Sequence, residues 1–325
     1  MSVMKNFRRL IPVAALAVAA PLALSACGDS ASAKTTEDGR LKVTASFYPT
    51  QFLVEQIGRD HVQVSTLTKP GTEPHDLELS PRQTGELADT GMIIYLKGIQ
   101  PAVDDAIKES GVKDAVDIAK FTTLEKTGTT EDGHAHEEEH AEEEGHDHGD
   151  EHGLDPHIWI DPVRYAQTAK GVGEAMAKAD PDHAADYRRN AADLADRLGK
   201  LDKSFAGGLK NRTTDTFITT HAAFGYLADR YGLVQESIKG LDPESEPSAK
   251  RMRELHEIAE HDDVTTVFFE TLVSPKTAET LAGDLGLRTA VLDPIEGISD
   301  TSPGSDYFQV QEANLKTLQK ALGAK

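Results

Sequence analysis

Seven of the thirteen histidines lie between residues 134 and 159. Imidazole is a neutral nitrogen donor near neutral pH and suits zinc and similar divalent cations, so this concentration directs attention to metal chemistry. Six of the seven, His134, His136, His140, His146, His148 and His152, stand in a run that carries eleven Asp or Glu residues between Glu131 and Glu151. His134 with His136, and His146 with His148, form H-x-H pairs able to share an ion without a preformed cavity. Residues 127–153 contain almost nothing apolar beyond alanine, so they cannot offset the entropy of ordering. They are read as an unstructured loop and a secondary, low-affinity metal site, because binding there must also order the chain.

The seventh histidine has a different setting. His157 sits in LDPHIWIDP, just ahead of an Asp161-Pro162 helix start. His75, in PGTEPHDLELSP, follows a strand-like run, and His221, in FITTHAAFGYL, falls where a strand gives way to a helix. Asp293, in TAVLDPIEG, holds the matching place after the last strand-like run. Open α/β sheets bind ligands beyond the carboxyl ends of their strands. Three imidazoles and one carboxylate make a closed tetrahedral set for zinc. The expected ligands are therefore His75, His157, His221 and Asp293, with Glu73, two residues before His75, as the alternate fourth. His61, His183, His256 and His261 read as surface residues, and the lone Trp159 as core or as a wall of the site.

Placing four such residues together requires two α/β lobes. Strands are expected over 41–47, 62–68, 92–96 and 115–118, with helices over 51–57, 82–88 and 101–109 between them. A second series follows, with strands over 216–219, 234–238, 264–269 and 289–292 and helices over 222–231, 248–260, 275–285 and 307–322. Alternation of this kind implies parallel sheets. Between the series, Tyr187, Ala191, Leu194, Leu198, Leu201 and Phe205 recur at helical spacing, and Gly207-Gly208 closes the pattern. The expected organisation is a first lobe over 41–180, one long rigid linking helix over 181–209 and a second lobe over 210–325, with the metal site in the cleft.

The amino-terminal stretch bears on location. Lys5, Arg8 and Arg9 precede an apolar run from Leu10 to Leu24, the layout of a secretory signal and too short for a convincing membrane span. Leu24-Ser25-Ala26-Cys27 resembles a bacterial lipobox, with Cys27, the single cysteine, as the acylated residue. Residues 1–26 then form the signal and 27–40 a flexible tether, which places the protein outside the cytoplasm, lipid-anchored at a membrane. A formal charge of -21 in 325 residues argues against nucleic acid and for cations.

The motifs PGTEPHDLELSP, LDPHIWIDP, THAAFGYLADRYGL, LDPESEPSAKRMRELHEIAE, VFFETLVSPKTAETLA and VLDP resemble those of the metal-binding lipoproteins of bacterial ABC importers for zinc and manganese, the ZnuA- and AdcA-type proteins. The resemblance runs from about Leu41 to the carboxyl terminus, omitting the loop. It implies two lobes joined by a long helix, a monomer that hands its ion to an ABC permease, and ligands at His75, His157, His221 and Asp293. Histidine at position 221 and the phrase LDPESEPS favour the zinc branch, where manganese members carry glutamate. The alternatives are a manganese-importing member, a zinc-dependent hydrolase, against which closure of the site by Asp293 argues, and a surface adhesin or metal buffer. An importer of this kind is not an enzyme, and a long linking helix in place of a flexible crossover implies a small tilt on loading.

Overall fold

The computed structural model describes Met1 and residues 35–127 and 153–325. The proposed signal, Cys27, and the six histidines from His134 to His152 lie outside the described residues.

Eight strands form two four-stranded sheets, both wholly parallel. The first takes the order β2-β1-β3-β4, from β1 (Leu41–Ala45), β2 (Val62–Thr66), β3 (Met92–Tyr95) and β4 (Ala115–Asp117). The second repeats it as β6-β5-β7-β8, from β5 (Thr216–Thr219), β6 (Val234–Ser237), β7 (Thr266–Phe269) and β8 (Arg288–Val291). Each sheet reverses strand order beside its first strand, which creates a crevice beyond the carboxyl ends at that point. The registers Val43 opposite Val64 and Val43 opposite Met92 set apolar side chains side by side across β1.

Helices α1 (Tyr48–Gly58), α2 (Pro81–Leu87) and α3 (Pro101–Ser110) serve the first sheet. Helices α6 (Gly225–Tyr231), α7 (Ala249–His261), α8 (Lys276–Leu285) and α9 (Tyr307–Ala321) serve the second. Their starts follow ordinary capping chemistry. Ser80 accepts from the Gln83 N–H while Gln83 accepts from that of Ser80, and Ser248 and Asp306 accept from Arg251 and Gln309. Helix α6 begins at Gly225, three residues later than expected, because residues 220–224 bend to carry His221 into the cleft.

Between the sheets run α4 (Pro162–Ala179), started by Asp161 accepting from the Val163 N–H at 2.7 Å, and α5 (Ala184–Gly208), 25 residues long. The residues of the expected apolar stripe on α5 are buried. Helix α5 packs against α4 and α1 on one side and α9 on the other, so it touches elements of both lobes. A methyl group at Gly173 of α4 would meet the Ala191 Cβ at 2.6 Å, so glycine there permits the close crossing of the two helices. One apolar cluster runs from Leu41, Val43 and Phe52 through Tyr165, Leu198 and Phe205 to Phe217, Phe268 and Val310. Among the described residues no helix is long and apolar enough to cross a membrane.

Candidate metal centre

The loop after β2 carries His75, a tight turn before α4 carries His157, the bend after β5 carries His221, and the segment after β8 carries the acids. Every one of these positions follows the carboxyl end of a strand or leads into the cleft between the sheets. Among the described residues, His75, His157, His221 and Glu296 bring one potential ligand atom each to within 4.8 Å of one another. Glu296 Oε1 lies 3.4 Å from His75 Nε2, 3.2 Å from His157 Nε2 and 3.4 Å from His221 Nε2. Atoms held 2.0–2.1 Å from one centre at tetrahedral corners stand about 3.3–3.4 Å apart, so these separations match the edges of a zinc polyhedron. His157 Nε2, His221 Nε2 and Glu296 Oε2 are buried without a hydrogen bond. Buried polar atoms are ordinarily paired, and two unpartnered Nε2 atoms facing Glu296 Oε1, on a carboxylate whose other oxygen is also unpartnered, describe a cation cradle. The His75 side chain is 13% exposed, against 0–1% for the other three, so the cradle meets the outside on the His75 side.

Two carboxylates orient the imidazoles from behind. Asp155 Oδ1 accepts from His157 Nδ1 at 2.7 Å and from the His157 backbone N–H at 2.8 Å. Glu270 Oε1 accepts from His221 Nδ1 at 2.8 Å and from the Thr220 hydroxyl. A proton fixed on Nδ1 leaves the Nε2 lone pair facing the cradle, the arrangement that serves a metal ligand. Glu270 had no evident role in the sequence, and it was beyond periodicity or motif logic because its partner is 49 residues away.

Protonation follows from these contacts. Burial alone would lower the imidazole of His221, but the charge and hydrogen bond of Glu270, then the nearby Glu296 carboxylate, hold it well above its usual range. The same opposition, with Asp155 ahead of Glu296, raises His157. Burial would raise Glu296, yet the imidazoles of His157, His221 and His75 crowding its Oε1 hold it well below the usual carboxylate range.

Asp293, the expected fourth ligand, is occupied elsewhere. Its Oδ1 accepts from the Ile295 N–H at 2.7 Å and its Oδ2 from the Thr271 hydroxyl at 2.8 Å. Its backbone is gripped by Asn314, which accepts from the Asp293 N–H at 3.0 Å and donates to its carbonyl at 2.7 Å. Aspartate before proline therefore acts as a turn residue here, and the turn delivers Glu296 three positions later. Ile295 between them takes φ 60°, a left-handed conformation costly for a β-branched residue and tolerated where surrounding structure enforces it. The usable signal was in TAVLDPIEG: an acid committed to an Asp-Pro turn leaves the next acid free to ligate. Glu73, the alternate, also stays out of the cluster; its Oε2 accepts from the backbone N–H groups of His75 at 2.9 Å and Asp76 at 3.4 Å. Burial, followed by the charge of Glu296, raises its pKa to about 7, and burial raises that of Asp293 to about 6.

Trp159 is both core and wall. It is fully buried, its ring lies 5.2 Å from that of His157 and 5.1 Å from that of Phe47, and its Nε1 donates to the Pro294 carbonyl at 2.7 Å. It thereby ties the first lobe to the loop that presents Glu296. His61 and His183, read as surface residues, are half-buried and stack on each other with centroids 4.0 Å apart, paired with Asp186 and Asp180.

Two parallel α/β lobes that enclose a buried cluster of three imidazoles and a carboxylate define a two-lobed solute-binding protein. Residues 43–321 match the family described as zinc-uptake complex component A, periplasmic, and the chain belongs to that family. It is 36% identical over 307 residues to the high-affinity zinc uptake system protein ZnuA of Bacillus subtilis, with 93% of this chain and 94% of that protein covered. It is 36% identical over 289 residues to the zinc-binding protein AdcA of Streptococcus pyogenes, covering 87% of this chain and 56% of that protein. The chain thus spans little more than half the length of its AdcA relatives. Among solved structures, the laminin-binding protein Lmb of Streptococcus agalactiae, described as having adhesin and metal-transporting activity, superposes with a TM-score of 0.74 at 25% identity, covering 86% of this chain and 99% of that one. The Zn(II)-bound AdcA of Streptococcus pneumoniae gives 0.71 at 30% identity, covering 88% and 59%.

Proposed function

We propose that this protein captures Zn²⁺ outside the cytoplasm and delivers it to an ABC permease for high-affinity uptake, and that His75, His157, His221 and Glu296 are the ligands. The observation that carries the reading is the set of three Nε2 atoms 3.2–3.4 Å from one Glu296 oxygen, distances that fit the ligand-to-ligand edges of a zinc site. Three imidazoles favour zinc over manganese, which prefers oxygen donors. Four protein ligands leave no open position for a reacting water, which speaks for binding and release rather than hydrolysis. Both half-sites come from one chain, in keeping with action as a monomer. Acylation of Cys27 would hold the protein at the membrane beside its permease. The loop histidines His134, His136, His140, His146, His148 and His152 serve as a weaker gathering site, and residues 41–180, 181–209 and 210–325 as first lobe, linking helix and second lobe.

The test is titration of metal-free protein with zinc against a chromophoric chelator, with elemental analysis of the loaded form. One tight zinc per chain is expected, lost in Glu296→Ala and retained, though weakened, in Glu73→Gln. His221→Glu should move preference toward manganese. Deleting residues 131–152 should remove weaker binding events and leave the tight one. Tight binding that survives Glu296→Ala would refute the ligand set, and measurable esterase or peptidase turnover would refute the transport reading.

A further inference from the structure

Behind His157 the hydrogen bonds do not stop at Asp155. The Thr127 hydroxyl donates to Asp155 Oδ2, so the two oxygens of one carboxylate are divided between Thr127 and His157. Thr127 is the residue from which the chain departs into the histidine-rich insertion, and Asp155 lies just after the point where it returns. The two feet of the insertion are fastened together: the Asp155 N–H donates to the Glu125 carbonyl at 2.9 Å. Helix α6 of the second lobe fastens them again. The Tyr226 hydroxyl accepts from the Glu125 N–H at 2.9 Å and donates to the Asp155 carbonyl at 2.7 Å. Beside it, Gly225 has no room for a side chain, since a methyl group there would strike the Thr127 hydroxyl and come within 2.9 Å of Asp155 Oδ2. Thr127 and Asp155 are buried, at 8% and 1% exposure, so a lost partner would not be replaced readily by bulk water.

Resting on the zinc reading above, the geometry points to Thr127 as a positioning residue for the metal, held in place by Gly225 and Tyr226. Its hydroxyl fixes the plane of the Asp155 carboxylate, which fixes the His157 ring, which aims Nε2 at the ion. The order is a hydroxyl–carboxylate–imidazole–metal chain in which the first member belongs to the insertion and its support to the opposite lobe. Removing an outer partner of a metal-bound histidine typically lowers affinity about 10- to 100-fold, and Thr127, one bond further out, belongs at the lower end.

The test compares full-length Thr127→Val, which keeps the shape and deletes the hydroxyl, with Thr127→Ser, which keeps the hydroxyl. Zinc affinity is measured by chelator competition, and ligand geometry by the visible absorption of the cobalt-substituted protein. Thr127→Val is expected to bind zinc about tenfold more weakly with an altered cobalt spectrum, and Thr127→Ser to restore both. Gly225→Ala, which pushes on the same hydroxyl from α6, should reproduce the Val phenotype and stands in for it if that variant does not fold. Wild-type affinity and spectrum in Thr127→Val, or equal defects in Val and Ser, would overturn the assignment while leaving the zinc reading intact. Failure of the wild-type protein itself to bind zinc would instead remove the zinc reading.

Discussion

At the scale of single residues, the proposed site separates the groups that would touch an ion from those that aim them. Glu270 belongs to the second kind, since both of its contacts are to Thr220 and His221. Glu270→Gln should weaken zinc binding about 10- to 100-fold without changing the stoichiometry, as measured by competition titration. A pH effect follows from the raised groups. In the metal-free protein, Glu73 at about 7 and Asp293 at about 6, together with the elevated His157 and His221, hold protons more tightly than in the unfolded chain. Their contribution to stability is therefore full below the unfolded values, near 4 for the acids and 6.5 for the imidazoles, and is lost as pH rises through the folded ones. Glu296 has the opposite sign, stabilising above its unfolded value and failing only in stronger acid. Zinc must displace the imidazole protons, so the rise in melting temperature that it confers should grow from pH 5.5 to 8; a constant increment would contradict this assignment. The candidate donors His75 and His221 were legible because each followed a strand with turn chemistry around it, and His157 because it stood in a turn just ahead of a helix start. The proposed fourth donor was not, since choosing between Asp293 and Glu296 depends on Thr271 and Asn314, residues distant in sequence that engage Asp293.

At the scale of elements, strands and helices were readable to within a few residues, because β-branched runs and capping pairs are local signals. The packing of α5 was less so. Its apolar stripe announced a buried face, but whether that face met one lobe or two depended on α1, α4 and α9, which a periodicity cannot specify. Phe205 is fully buried near the end of α5 and stacks against Tyr231 of α6 at 5.4 Å, so it couples the long helix to the second lobe. Phe205→Ala should lower unfolding free energy by about 3–5 kcal/mol in urea titration. A loss confined to surface-mutation values would mean that the helix is anchored elsewhere.

At the scale of the whole molecule, one apolar cluster among the described residues threads both sheets and α5, so parting the lobes would have to break it. Wide opening would expose buried Phe and Leu side chains at roughly 25 cal/mol per Å². Loading with zinc should therefore leave the radius of gyration in solution scattering almost unchanged, and a large compaction would show that the lobes swing. Two parallel sheets were implied by the alternating pattern, whereas their strand order and the fusion of the lobes by a shared core emerge only from three-dimensional contacts. Trp159 lies where that fusion meets the cradle, the chain's sole indole, sealed from solvent and 5.2 Å from the ring of His157. Such placement makes the molecule its own optical gauge: charge arriving at the neighbouring imidazole should shift or quench the emission of one chromophore, so occupancy can be followed in real time on unlabelled material.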